Sequence, residues 1–406
     1  MSASSPDGSA LPRSTPLALR DNVAVFLTGF AAFLTLYAPQ PVLPQMSHDL
    51  GVSAAAVGSV IAATTLAAAA AAPVAGPLVD RFGRKRAVVT ALLLLVPLSM
   101  LLAACTSLNQ VLSVRFVQGA VLPLVFTGAT AAITSRWSGS AAAGAMGIYV
   151  SGSVMGGFAG RFIAGASADL LGWQGSFAVL SMASLLCVPL IHLWFPSDAP
   201  HRDVRIFAHF EAMGQLLRSS RLRATCLFGA ISQFSMTGML SYIGFRLAGA
   251  PFDLTSSDIG MVFLIYPIGA TLVPFNGRLQ HWFGSRGALG AALAICAAGQ
   301  VALLVPNLVV TTIGIGIFVT GLFLSQSLAL AFVGRIAGTS KGAAAGLYVA
   351  SYYVGGSLGS IGCGMAWQMY GWNGCALLVL TALAIGTMAS VAMRDTPIRT
   401  PSPAVA

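Results

Sequence analysis

The chain has 406 residues, 56% of them hydrophobic and 8% charged, with a formal net charge of +10. A soluble domain carries about 25% charged residues, so a globule with a water-facing polar surface is excluded. A mean hydropathy of +0.83 and 45 glycines instead suit helices packed closely in a bilayer, where small residues let backbones approach.

Residues 1–21 are polar and rich in Pro and Ser and read as a cytoplasmic tail. The apolar run after them has the length of a full span rather than of a short signal-peptide core. Polar breaks divide residues 22–394 into about twelve apolar segments, each near the ~20 residues that cross ~30 Å of hydrocarbon. They fall at 22–46, 55–79, 87–106, 108–133, 142–167, 175–195, 223–249, 258–280, 287–305, 308–334, 342–368 and 374–394. Residues 22–195 are expected to form one six-helix bundle and 223–394 a second, with a cytoplasmic linker at 196–222 and a cytoplasmic tail at 395–406. In the linker, Ile206, Phe210, Met213 and Leu217 recur at helical spacing beside Arg202, Arg205 and Arg218. That pattern reads either as an amphipathic helix on the anionic inner leaflet or as a plain connector.

All 21 Lys and Arg except Arg115, Arg161 and Arg246 fall in the tails or beside the loops after even-numbered spans. Positive loops stay cytoplasmic, so both termini are expected inside, in a multi-pass protein of the cell (inner) membrane. The positive charge is then an orientation signal. A pI of 9.8 can mark a nucleic-acid binder, but no aromatic-basic surface is visible, so nucleic acid is not an expected partner. The six cysteines (Cys105, Cys187, Cys226, Cys296, Cys363, Cys375) lie in or beside spans without a C-x-x-C pair, as packing residues do. No metal-ligand spacing and no Ser/His/Asp cluster lies in the spans, so neither a metal, a cofactor nor an enzyme is expected.

Residues Gly76 to Arg86 read GPLVDRFGRKR, a charged knot that must sit in a loop on one membrane face. The string resembles the signature loop of the major facilitator superfamily of transporters, G-x-L-x-D-R-x-G-R-K. Gly76, Leu78, Asp80, Arg81, Gly83, Arg84 and Lys85 fill its defined slots. The resemblance implies an all-α integral membrane fold of twelve transmembrane helices in two pseudo-symmetric six-helix bundles. It also implies that Gly76, Asp80, Arg81, Gly83 and Arg84, with Arg136 as a partner, form a gate latching the cytoplasmic ends in the outward-facing state.

An internal repeat at an offset of 199 residues supports the two halves: Gly147-Ile148-Tyr149-Val150 aligns with Gly346-Leu347-Tyr348-Val349, and Gly172-Trp173 with Gly371-Trp372. Such parallel halves suit this class of fold. Gly152, Gly156, Gly157 and Gly160, echoed by Gly355 and Gly356, read as helix-packing positions. The first loop has a degraded echo in Gly277, Leu279, Phe283, Gly284 and Arg286, where His281 replaces the carboxylate.

Further resemblances bear on chemistry. Arg115-Phe116-Val117-Gln118-Gly119 is similar to the R-x-x-Q-G motif of the fourth span in the proton-antiporter branch, which links Arg115 to proton or substrate binding. The fifth span is similar to the antiporter motif G-x-x-x-G-P-x-x-G-G, except that Gly157 stands for its Pro and Arg161 for its last Gly. In this superfamily the first, fourth, seventh and tenth spans line the cavity, which points to Tyr37, Gln40, Arg115, Gln118, Gln233, Tyr242 and Gln326 as substrate-binding. Proton coupling wants an ionisable group inside a span. The acids all lie near span ends or in loops, so Asp169 and Asp49 are the nearest candidates beside Arg115. Asp169 follows Arg161 by eight residues, about 12 Å along a helix, too far for direct pairing. Arg246 sits near a span end and can snorkel.

The expected function is secondary active transport of a small molecule by alternating access, as proton-coupled efflux of a drug, sugar or metabolite by a monomer. The alternatives are uptake or exchange of a small organic anion, favoured by the cationic candidates, and a non-transporting membrane sensor.

Overall fold

A computed structural model describes residues 18–196, 206–336, 341–391 and 393. The tail expected at 395–406, most of that at 1–21, and residues 197–205 of the linker lie outside the described residues. Everything described is helix or short connection.

The helices are α1 (Leu19–Leu34), α2 (Leu43–Asp49), α3 (Ala54–Phe82), α4 (Arg84–Leu102), α5 (Leu108–Arg136) and α6 (Gly139–Trp194). They are followed by α7 (Ile206–Leu216), α8 (Ser220–Ala248), α9 (Ser256–Val262), α10 (Tyr266–Thr271), α11 (Asn276–Ala302), α12 (Leu308–Ile336) and α13 (Lys341–Val391). With 56 and 51 residues, α6 and α13 would each run about 80 Å at 1.5 Å per residue, more than twice the hydrocarbon thickness. Each is in fact two spans broken at a glycine in the left-handed region, Gly172 (φ 68°) and Gly371 (φ 58°), the pair that the sequence repeat aligns.

Among the described residues, seven helices are long and apolar enough to cross a membrane as they stand. Resolving α6 and α13 at their glycines adds two more. The run Ser256–Thr271 plus Asn276–Gly284, which bends by 58°, is one further broken span, and Arg286–Ala302 is a shorter apolar helix. These and the α1–α2 run fall where the sequence places its apolar segments.

The first expected span is not continuous. α1 stops at Leu34, and a single tight turn at Gln40–Val42 leads into α2. The cause is Pro39, which has no N–H to give the carbonyl four residues earlier and pushes Ala38 away from helical geometry.

The two halves repeat one packing scheme. A Cβ at Gly152, Gly156 or Gly160 of α6 would overlap the carbonyls of Phe26, Phe30 and Leu34 on α1. Gly355 and Gly359 of α13 stand in the same relation to Ala230 and Phe234 of α8. Only hydrogen at these positions permits the backbone approach that van der Waals packing in a bilayer needs. Gly157 and Gly356 are turned differently: Cβ atoms there would lie 3.5 Å from Arg161 Nη1 and 3.0 Å from Gln233 Cγ, so they make room at the centre. The linker does contain a helix, α7, which packs against α3 and α13 through buried Met213 while Phe210 and Leu217 are exposed.

Side-chain hydrogen bonds between the halves gather toward one end, apart from those of the central layer. α3 runs about 43 Å from Ala54 to Phe82, and its Ala54 end is stitched to the other half. Ser360 Oγ donates to Gly58 O (2.7 Å), Ser357 Oγ to Ala62 O (3.2 Å), and Gln368 Nε2 to Ser53 Oγ (2.9 Å). Tyr242 adds a longer bond to Ala54 O (3.4 Å). On the opposite flank, Asp169 Oδ2 accepts the Ser257 N–H at 3.1 Å, and Ser257 Oγ donates to Gly165 O at 3.3 Å.

Candidate functional site

The break in α1 sets the chemistry of the centre. With Pro39 lacking an N–H and the Gln40 N–H turned to Tyr37 O (3.1 Å), the carbonyls of Thr35 and Leu36 have no helical donor. Orphan carbonyls in hydrocarbon cost several kcal/mol each. Arg115, on α5, takes both: Nη1 donates to Thr35 O at 2.9 Å and Nη2 to Leu36 O at 2.5 Å. Nη1 also reaches Gln118 Oε1 (3.0 Å), and Gln118 Nε2 donates to Ser99 Oγ of α4 (3.0 Å). Arg115 and Gln118 are thus buried in a network internal to the first half.

Arg161, on α6, lies where the halves meet. Nε donates to Gln40 Oε1 and Nη1 to Gly157 O, both at 2.7 Å. Gln40 Nε2 in turn donates to Ser241 Oγ of α8 (3.3 Å). The guanidinium carbon is 5.0 Å from the Tyr37 ring centre, 4.7 Å from Tyr266 and 5.5 Å from Phe263, a cage drawn from both halves. Cation–π contacts of this kind contribute up to about 2 kcal/mol each when desolvated. Arg161 is 0% exposed, has no carboxylate partner among the described residues, and its Nη2 has no hydrogen-bond acceptor. The Tyr266 and Tyr37 phenols are further polar neighbours.

Gln233 of α8 donates to the Tyr37 hydroxyl (2.5 Å), and its own Oε1 is buried without a partner. A wall of rings continues from there: Phe33 stacks on Phe126 at 4.9 Å, Phe126 on Tyr353 at 6.1 Å, and Tyr353, Tyr352 and Tyr348 follow one another along α13.

The remaining sequence candidates are dispersed. Tyr242 belongs to the seal at the Ala54 end, stacked on Phe245 and Trp367. Gln326 is half-buried on α12 and makes no side-chain hydrogen bond among the described residues. Asp169 is a strut of the same seal, and exposed Asp49 lies 3.1 Å from His48. In the charged loop, Gly83 (φ 89°) makes the turn between α3 and α4, Gly76, Asp80 and Arg84 are half-buried, and Arg81 is exposed. Asp80 makes no ion pair among the described residues, and Arg136 lies 3.8 Å from Asp21 of α1. Arg246 caps the carbonyls of Leu304 and Val305 (3.3 and 3.2 Å) and rests against Phe252 and Trp372, as a snorkelling residue does.

Sequence reasoning left Arg161 without a role and missed Tyr266, Phe263, Tyr352 and Tyr353. The signal available was Arg161 itself, a charge in mid-span with no acid within helical reach.

Two helical bundles, closed at one end around a buried polar layer, define a membrane transporter. The chain belongs to the major facilitator superfamily, whose family model matches residues 25–360. It is 29% identical over 386 residues to the inner membrane transport protein YnfM of Escherichia coli, covering 93% of this chain and 92% of that one. It is 27% identical over 360 residues to multidrug resistance protein 1 of Bacillus subtilis, covering 86% and 90%. The fold is similar to that of a mutant of the nucleoside transporter NupG, with a TM-score of 0.76 at 12% identity over 92% of this chain and 100% of that one.

Replacing Arg115 by Gln strips the donors from Thr35 O and Leu36 O, at about 1–3 kcal/mol per orphaned buried acceptor. The expected result is a lowered melting temperature of the detergent-purified protein, partly restored by Arg115→Lys. An unchanged melting temperature would remove the structural role assigned to Arg115.

Proposed function

We propose that this protein is a secondary active transporter that moves a small organic molecule by alternating access. The two bundles rock about the layer formed by Tyr37, Gln40, Arg161 and Gln233. The observation that carries this reading is the one-sided seal: cross-bundle bonds gather at the Ala54 end, while Asp80 in the latch loop at the far end makes no ion pair among the described residues. The cation distribution supports a cytoplasmic Gly83 end, which makes the described state inward-facing. Gly76, Asp80, Arg81, Gly83, Arg84 and Arg136 are then the gate that engages when the Ala54 end opens.

Export is the direction supported by the relative named for multidrug resistance. Protons act on the outer seal: protonating Asp169 from outside weakens its acceptance of the Ser257 N–H and favours opening there. Asp49 and Arg115 have weaker support as coupling residues, because one lies at the surface and the other is taken up by carbonyls. A second reading, exchange of a small organic anion, is favoured by Arg161, a central cation that no acid neutralises.

Two spin-label pairs test the cycle without a substrate, one at Ser53→Cys and Gln368→Cys, the other at Arg81→Cys and Gly342→Cys. In liposomes the outer pair should show short and long populations, with the inner pair changing in the opposite sense. One fixed distance at each end would defeat alternating access. An acid step outside should lengthen the outer distance, and Asp169→Asn should make that distance long and insensitive to pH. If Asp169→Asn kept the wild-type pH response, the proton role would pass to another group.

A further inference from the structure

We infer that the ligand of the central layer is a small organic monocarboxylate with an apolar or aromatic body, its carboxylate seated on Arg161. This rests on the alternating-access reading and adds the substrate class to it.

Charge fixes the first half of the inference. An arginine at mid-span costs about 2.5–3.5 kcal/mol on insertion scales, and one that persists there needs a partner. Arg161 uses Nε and Nη1 on Gln40 and Gly157, and its Nη2 is buried with no acceptor. The described acids are Asp21, Asp49, Asp80, Asp169, Glu211, Asp253 and Asp258, none of which pairs with it. Arg115 is committed to the α1 carbonyls, so its guanidinium is held by the protein itself. One buried cation at the interface is therefore left without an acidic partner among the described residues, and one negative charge balances it. A dianion would leave an excess charge in hydrocarbon, and a zwitterion would leave its ammonium without a carboxylate.

The flanking groups fix the second half. The Tyr37 hydroxyl accepts from Gln233, so its own proton is free to donate. Nη2 and that hydroxyl supply two donors for two carboxylate oxygens, the charge-assisted arrangement that arginine serves best. Beyond them the surface is aromatic: Phe33, on α1 four residues before Tyr37, continues through Phe126 to Tyr353. Such a wall takes a flat or aliphatic body.

The test uses the purified full chain and four related probes: benzoate, neutral benzyl alcohol, cationic benzylammonium and dianionic phthalate. Thermal-shift titration in detergent should show saturable stabilisation by benzoate, with the other three at least tenfold weaker. Arg161→Gln should weaken benzoate at least tenfold, and Arg161→Lys should retain part of the affinity. Absence of benzoate binding, equal binding of benzyl alcohol or benzylammonium, tighter binding of phthalate, or wild-type benzoate affinity in Arg161→Gln would each overturn the assignment. Should Arg161→Gln fail to fold, the four probes on the wild-type protein decide alone. The spin-label distances do not depend on any ligand, so two-state distances without benzoate binding would reject the substrate class and leave alternating access standing.

Discussion

Pro39 cannot donate a backbone hydrogen bond, and the centre of the molecule is arranged around that fact. Within hydrocarbon every backbone carbonyl needs a partner, so a break in the first span obliges the fold to supply a donor. Arg115 reaches across from α5 to do so. The same break places Gln40 on a tight turn instead of a helix, where one amide bonds both Arg161 and Ser241. A continuous chain of hydrogen bonds thus joins a central cation of one half to the wall of the other.

Around this centre the halves are alike where they pack and unlike in the polar groups they bring to it. The glycine contacts of α6 on α1 recur in α13 on α8, and the turns at Gly172 and Gly371 correspond. Arg161 has no counterpart: Ser360 occupies the matching place at the offset of 199 residues, and it is spent on the seal through Gly58 O. The cation belongs to one half, and much of its aromatic cage, Phe263 and Tyr266, to the other. Separating the halves therefore changes the surroundings of Arg161 more than those of Arg115, whose partners all move with it.

The scaffold was legible in the sequence because its signals are local. The charged loop, the spacing of polar breaks and the paired Gly-Trp steps each occupy a few adjacent residues, and each corresponds to a turn or a span. The site was only partly legible because its partners are remote. Nothing near Arg115 says that its acceptors are backbone oxygens 80 and 79 residues away. Gln118 was expected in the cavity on the strength of its span, but its side chain turns to Ser99. Phe263 and Tyr266 sit on a bent run of short helices that hydropathy reads as one ordinary span. Tyr37, Gln40 and Gln233 were legible because a polar side chain in mid-span has few other reasons to be there.

The most direct test of alternating access to Arg161 is the reach of water to its position. Arg161→Cys, in a chain whose native cysteines are all buried, would be exposed to a membrane-impermeant thiol reagent from each side in turn. Labelling from the Ala54 side should occur and should stop when Ser53→Cys and Gln368→Cys are joined by a disulfide, while labelling from the Gly83 side persists. A residue 161 thiol that reacts from neither side, or whose labelling from the Ala54 side ignores the disulfide, would contradict the account.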